Sequence, residues 1–577
     1  MNNLSLRWAT ALTAIALFGM PVSLSSCGDG DGVTLPSNYN TGRYRRVEIR
    51  PNEKIDGLAS KVKPLNGMHG SPLPVVPGDS SLKLQYWGRL AGSAEADGAH
   101  VTMVRVGTDV DCALSLESIF PDQAKNVDDP NNYNFDTLDK HVSAVLGDYS
   151  PQSKSFSGGL NTARLLWQAG LNVGPAAGCK SDAQGYQLGS PFSTGGDYLL
   201  WADVAFNTLQ HLRGVGKWSN TGAPYNVRYV EFMDDPLGRF PNGYTTSWTD
   251  VNWGRLHDTY KQFATKIKAT WPDSVDENGI RIPNVHIGGI SFTFTNESEL
   301  SYNSDQDKHG LLRFIDFCKT NKVPLDFVSF KTKTTTAYKA AKISSAIRGY
   351  LNQSGYGDVK LIATAVSPDY DDPKLQNLMS LEYEDLKSAH LGAFQTAARI
   401  YFQDTPVDWM IAGRGPRVFS DLVAHPDLNT FQGLVVESDY FYNDSTAKPS
   451  FMSLFPFRQV SGHQRVVVSE GSDTDGMTIL ASHDINNPKV VHVIVANSNV
   501  SSGIASITYD LVLAQFAPPN VTEVEYKLAV LDRSSYGVSS FNFSQTGKLE
   551  TGFQTGSIRL IQEMAVPSVH YIQFVQP

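Results

Sequence analysis

Between residues 63 and 412 the chain alternates short β-branched and aromatic runs with longer amphipathic stretches. The runs are Lys63–Pro72, Val101–Val106, Ala163–Gln168, Val227–Phe232, Val285–Gly289, Phe327–Phe330, Val359–Val366 and Val407–Ala412. Their composition is that of buried strands. Between them, Leu82–Gly98, Leu138–Leu146, Tyr198–Arg213, Trp253–Trp271, Leu311–Lys319, Ala340–Asn352 and Asp385–Phe402 place apolar residues at three- and four-residue steps. That spacing predicts helices with one buried face. Eight strands alternating with helices predict an α/β fold, a closed (β/α)8 TIM barrel rather than an open sheet.

After about residue 430 the period changes. Met477–His483, Val490–Asn497, Ala505–Leu513, Val524–Val530 and Val569–Phe574 alternate apolar with polar residues and are separated by turn residues. They predict an all-β sandwich packed against the barrel, with no convincing helix. Arg46–Ile55 alternates in the same way and is expected as an early strand docked on that domain. The expected organisation is a leader over 1–27, a tether over 28–45, a barrel over 46–430 with 46–60 shared with the sandwich, and the sandwich over 431–577.

The N-terminus adds an address. Arg7 precedes an apolar segment, Trp8–Met20, of the length of a signal h-region rather than a transmembrane helix. Leu24-Ser25-Ser26-Cys27 resembles a bacterial lipobox, which implies cleavage before Cys27 and lipidation of its thiol. The alternative is an ordinary secretory signal with an incidental cysteine. Gly28–Gly32 (GDGDG) then reads as a flexible tether. No aspartate directly follows Cys27, which favours the outer membrane of a bacterium. Of the remaining cysteines, Cys112 and Cys179 lie in loop-like context, where an exported location permits a disulfide. Cys318 falls in a helical pattern and is expected as a buried free thiol.

Composition excludes little else. Net charge is −10 without any Lys/Arg-rich run, which argues against a nucleic-acid partner. No CxxC or HExxH occurs, so neither a metal site nor a cofactor is expected.

The candidate chemistry lies where Val227–Phe232 runs into Asp234, Asp235 and Pro236. Proline cannot continue the ladder, so this strand delivers paired acids to its C-terminal end. In a parallel barrel that end carries the catalytic groups. The competing reading is an Asp-Pro turn.

Over most of residues 46–577 the chain resembles a clan A glycoside hydrolase, most of all family 39, the β-xylosidase and exopolysaccharide-glycosidase group. Arg105 in VTMVRV resembles the arginine of that family's second strand, and Tyr133–Asp139 (YNFDTLD) its Y-N-F-x-x-x-D segment. Val285–Ile290 resembles its G-G-P strand. Phe314–Ser329 (FIDFCKTNKVPLDFVS) is similar to its F-x-x-F-C-x-x-N-x-V-P-x-D-F-V-S, and Lys448–Phe451 to the K-P-x-Y leading into its sandwich.

The departures from that pattern fall on the catalytic apparatus. The family's fourth strand ends in E-x-W-N-E-P, whose last glutamate is the general acid/base. Here Glu231–Pro236 reads E-F-M-D-D-P, so the resemblance puts Asp234 at the asparagine and Asp235 at the acid/base. Aspartate is shorter than glutamate by about 1.5 Å, one C–C bond length. The family's seventh strand ends in T-E-W, with the glutamate as nucleophile; here Thr364-Ala365-Val366 offers no nucleophilic atom. Lys331 stands where the family's sixth strand continues into a histidine.

Retaining glycosidases hold two carboxyls about 5–5.5 Å apart and inverting ones about 6.5–9.5 Å. Replacement acids are therefore expected after strand seven, among Asp369, Asp371 and Asp372, with Glu437 and Asp439 after strand eight as weaker candidates. Asp235, Asp234 and Asp371 are the catalytic candidates. Lys331, Lys333, Arg414 and Arg417 follow strands six and eight. With Arg105 they are candidate substrate contacts for an anionic sugar, the competing reading being ion pairs with the loop acids. Trp409 is the aromatic candidate for sugar stacking, beside Trp87, Trp167 and Trp201, the competing reading being that these aromatics fill core.

Two functions compete. One is an exported, lipid-anchored glycoside hydrolase-like protein acting on a polysaccharide or oligosaccharide with non-standard carboxylates. The other is a catalytically inactive carbohydrate-binding lipoprotein in polysaccharide capture or export. A lyase using Lys331 or a tyrosine on uronate polymers is a third.

Overall fold

Eight parallel strands close into a barrel, as the alternating pattern predicts. The structure, a computed structural model, describes residues 44–577 except 71–98, 109–113, 158, 161–162, 172–196, 220–223, 235–249, 305–307, 374, 377–383, 415–416, 420–434, 441–446, 470–476, 501–505, 536–541 and 553–554. Strand β1 is Tyr44–Lys54. The barrel strands are β2 (Gly67–His69), β3 (Met103–Val106), β4 (Arg164–Ala169), β5 (Tyr229–Asp234), β6 (His286–Phe294), β7 (Phe327–Thr334), β8 (Lys360–Pro368) and β9 (Val407–Arg414). Helices α1 (Asp136–Leu146), α2 (Leu200–Leu212), α3 (Asp250–Thr270), α4 (Gly310–Asn321), α5 (Ala337–Gln353) and α6 (Glu384–Gln403) alternate with them. The helix expected over Leu82–Gly98 lies outside the described residues.

Period-2 alternation divides each barrel strand between two environments. Val104, Leu165, Trp167, Val230 and Phe232 point outward into the layer shared with the helices. Met103, Leu166, Tyr229, Phe327, Ile362 and Ile411 point inward and form an apolar plug at the N-terminal end of the barrel. Fully burying such a side chain contributes about 1.5–3 kcal/mol. One layer further along, the inward residues turn polar: Arg105, Gln168, Glu231, Ser329 and Thr364 are all buried. Cys318 on α4 is a buried free thiol, and burial pushes its pKa up.

The second domain is a nine-stranded sheet. After β9 come β10 (Gln464–Ser469), β11 (Met477–Asp484), β12 (Asn487–Asn497), β13 (Ser506–Leu513), β14 (Glu523–Leu531), β15 (Gln545–Glu550), β16 (Ile558–Ala565) and β17 (Ser568–Val575). Their order is β15-β14-β17-β12-β11-β10-β1-β13-β16, and the two ends of the sheet meet, so it folds over on itself. β1 sits inside it, parallel to β13 and antiparallel to β10.

Alternation again separates two cores. Val491, Val493 and Val495 of β12 face the sandwich interior, whereas Ile494 and Ala496 face the barrel. Helix α6 lies against β11, β12 and β17 on that barrel-facing side.

One expectation is corrected. The stretch after residue 430 does contain helix: α7 (Pro449–Met452) and α8 (Phe455–Val460). Each is too short to register as a period. Proline in the first turn of each, where its missing N–H costs nothing, is the one local signal. Among the described residues no helix is long and apolar enough to cross a membrane. The apolar segment Trp8–Met20, Cys27, Cys112 and Cys179 lie outside the described residues.

Candidate functional site

The polar layer of the barrel ends in a chain of charges. Arg105, on β3, is fully buried; its Nε donates to Glu231 Oε2 at 2.6 Å. Its Nη2 lies 2.9 Å from Asp234 Oδ1. Lys331, on β7, closes the chain from the mouth side, with Nζ 2.6 Å from Oδ1 and 2.7 Å from Oδ2 of Asp234. Two cations thus face two carboxylates. Lys331 is the only one of the four that keeps any side-chain exposure, 16%. Burial pushes the Glu231 carboxyl up; Arg105 opposes that rise and Asp234 adds to it.

The local backbone explains how both acids reach the same arginine. Strict alternation along β5 places Tyr229 and Glu231 inward and would turn Asp234 outward. Met233, however, has φ 66°, a left-handed conformation uncommon for a residue with a side chain. Its side chain joins the outer layer, and Asp234 turns inward in its place. Strain of this kind persists only where the surroundings over-determine it, and here the ion pairs with Arg105 and Lys331 do so.

Glycines make room for a neighbour in the same layer. Gln168 lies between Gly107 and Gly170, where a Cβ on either would collide with its amide. Its Oε1 accepts from the Thr108 N–H at 2.8 Å and from Thr108 Oγ1 at 3.0 Å. Across the barrel, Ser291 and Thr364 share a hydrogen bond of 3.0 Å.

At the end of strand seven, Ala365 is in register with Lys331. Ser367 follows in register with Lys333. Lys333 forms an ion pair with Asp371, which is 83% exposed, and lies 3.5 Å from Asp369. Asp372 belongs to the same turn, its N–H bonded to the Asp369 carbonyl at 3.1 Å.

The structure thus brings Arg105, Asp234 and Lys331 together, and separately joins Lys333 to Asp369 and Asp371. Asp235 lies outside the described residues, as do the side chains of Arg414, Arg417 and Glu437. Asp439 sits near Tyr370 and Tyr440, raising both phenols' pKa after the larger effect of burial.

Trp409 does not stand at the mouth. It packs on the apolar plug at the N-terminal end of the barrel, with the Arg164 guanidinium 4.9 Å from its ring centroid. Trp167 and Trp201 are buried in the outer core, and Trp87 lies outside the described residues. Glu231 and Gln168 are the site residues that sequence reasoning missed. Glu231 was legible as an inward position of β5, whereas the turn at Met233 left no trace in the pattern.

No family model matches the sequence, and no curated protein sequence matches it. Solved structures do. A glucosidase from Croceicoccus marinus shares 18% identity over 92% of this chain and 99% of its own, with a TM-score of 0.58. A monomeric β-xylosidase from Caulobacter crescentus shares 13% over 92% and 99%, with a TM-score of 0.54. The GH39 enzyme from Xanthomonas axonopodis pv. citri shares 12% over 92% and 97%, with a TM-score of 0.55. At such identities the likeness is one of fold, and it spans both domains: the chain has a glycoside-hydrolase-like fold, a TIM barrel followed by a β domain.

Proposed function

We propose that the protein binds a polysaccharide or oligosaccharide at the C-terminal mouth of its barrel, and captures it rather than hydrolysing it by the two-carboxylate route. The observation that carries this reading is the pairing of Ala365 with Lys331 in a barrel of this fold. Where the resemblance expects a nucleophilic carboxylate there is a methyl group. The neighbouring ammonium is engaged by Asp234, which makes Asp234 an ion-pair partner rather than a proton donor.

An anionic glycan is the narrower version. Lys331 and Lys333 both face internal carboxylates, so selectivity for acidic sugars falls to Arg414 and Arg417, whose forks suit carboxylate and sulfate.

A second reading, hydrolysis, is favoured by the acids just past strand seven. Asp371 is exposed and paired with Lys333, and would serve as the second carboxyl to Asp235, the acid/base position of the resemblance. The two readings part in one experiment: a glycan-array screen, then reducing-end release on every glycan bound. Capture predicts binding without release, and Asp235→Asn changes affinity by no more than about 3 kcal/mol, the scale of a hydrogen bond to a charged group. Release that falls about 10²–10⁴-fold in Asp235→Asn would replace capture with hydrolysis. Release that survives the substitution would remove Asp235 from the chemistry.

We further propose export and a lipid anchor at Cys27, supported by the lipobox-like Leu24–Cys27 and the glycine-rich tether behind it. Cys27→Ala is expected to move the protein from the membrane to the soluble fraction while leaving it folded. Retention in the membrane fraction would show that the anchor lies elsewhere.

A further inference from the structure

Two chain segments join the barrel to the β domain, one leading from β1 to β2 and the other from α8 to β10, and they run side by side. The Val62 N–H donates to the His463 carbonyl and the Gly462 N–H to the Val62 carbonyl, both at 2.9 Å. The Arg465 N–H donates to the Ser60 carbonyl at 2.7 Å. Gln464 Nε2 donates to the carbonyls of Ile55 at 3.2 Å and Ser60 at 2.9 Å. His463 therefore belongs to the junction itself.

Its ring meets a second histidine. The centroids of His463 and His492 are 4.8 Å apart at an interplanar angle of 62°. His492 points from β12 toward the barrel, and its Nδ1 lies 2.7 Å from Tyr571 Oη. In cross-strand register it falls in a polar row, Arg465, Ser482, His492 and Gln573. This row replaces the apolar contacts that Leu480, Ile494 and Tyr571 make nearby.

The charged groups around the pair come from every neighbouring element. From β10, Arg465 Nη2 lies 2.8 Å from Asp404 Oδ1, just past α6, and its Nη1 donates to the Ala59 carbonyl at 3.1 Å. From β11 come His483 and Asp484, with His483 Nδ1 3.1 Å from the Asp484 carbonyl. Arg399 reaches from α6 to the Leu65 carbonyl at 3.3 Å. Lys63 donates to the carbonyls of Phe402 at 3.0 Å and Val407 at 3.1 Å. Lys63 also faces Asp408, and Asp484 is the carboxylate that acts on both rings. A proton on both rings would set two cations 4.8 Å apart at a largely buried junction, and burial disfavours the charged rings.

We propose that the His463–His492 pair is a proton-operated hinge: neutral rings hold the barrel and the β domain together, and protonation of both loosens the junction. Burial lowers the pKa of both rings, that of His492 to about 4. The hinge is therefore closed at neutral pH and opens as pH falls below the ordinary imidazole range.

Small-angle scattering and limited proteolysis of the full chain, from about pH 7.5 down to about pH 4, test this. The expected result is a rise in radius of gyration, with cleavage at residues 55–65 or 460–464, while far-UV circular dichroism is unchanged. His463→Gln/His492→Gln should abolish that step. His570→Gln, whose ring sits inside the β domain 2.7 Å from Tyr509 Oη, should keep it. The hinge is overturned if the double variant retains the step, or if the wild type expands only when its secondary structure is lost. Should the double variant not fold at neutral pH, His463→Gln alone must move the midpoint to lower pH, and an unmoved midpoint overturns the proposal.

Discussion

Replacing Arg105 with methionine should destabilise the barrel by about 3–5 kcal/mol, the cost of leaving buried charges without their partner. The substitution keeps most of the volume but removes the guanidinium between Glu231 and Asp234, both fully buried. Lys331 reaches Asp234 from the mouth but leaves Glu231 with no cation 2.6 Å away. Arg105→Lys should recover only part of the loss, because a lysine cannot present two donors to two acids in fixed geometry. Arg105→Met/Glu231→Leu should be less harmful than Arg105→Met alone, since removing both members of a buried pair avoids the stranded charge. Urea denaturation at neutral pH, followed through the barrel tryptophans, measures all three. A loss under about 1 kcal/mol for Arg105→Met, the range of exposed pairs, would mean that water reaches the site.

Acidification should have the second large effect. His390 and His570 are fully buried, and burial is the largest cause lowering each pKa from 6.5 to about 4. The unfolded chain then takes up protons between about pH 6.5 and about pH 4 that the folded chain refuses. Stability is therefore fully present above the unfolded value and is lost as pH falls through that window. Each ring contributes up to about 3 kcal/mol at 1.36 kcal/mol per unit. His390 offers a direct check: Nδ1 lies 3.3 Å from Tyr370 Oη between α6 and the loop after β8. His390→Asn should flatten the dependence of stability on pH by about one proton across the window, at some cost in packing. An unchanged slope would show that His390 is protonated in the folded protein.

The same logic bears on the mouth of the barrel. Its described lysines sit on internal carboxylates, so the positive character read from Lys331 and Lys333 as single residues is largely cancelled once the strands are brought side by side. This is why the capture proposal rests on the methyl group of Ala365 and on the fold rather than on positive charge, and why Arg414 and Arg417 carry the narrower expectation of an acidic glycan.

The architecture was legible because it follows from local rules that repeat. Eight β-branched runs alternating with amphipathic stretches leave few ways to bury both faces of every strand, and a closed parallel barrel is one. The change of period after residue 430 marked the β domain for the same reason, and the alternation of Arg46–Ile55 marked β1 as part of it. Helices α7 and α8 escaped because two turns or fewer carry no period.

The site was legible only in part. The sequence placed Asp234 and Asp235 at a strand end, and Lys331 and Ala365 at the ends of strands six and seven, but only the structure set those two side by side. It did not determine which way Asp234 faces, because alternation alone turns it outward. The left-handed backbone at Met233 reverses that, and ion pairs with Arg105 and Lys331, 129 and 97 residues away, are what hold it. Trp409 was left open between mouth and core for a related reason: a strand's sequence gives its inward face but not the height of a residue along the barrel axis, which depends on the stagger between strands. Periodicity is a property of neighbouring residues and survives in the sequence. The partner of a buried charge is chosen across the barrel, and only the closed tertiary structure brings it within reach.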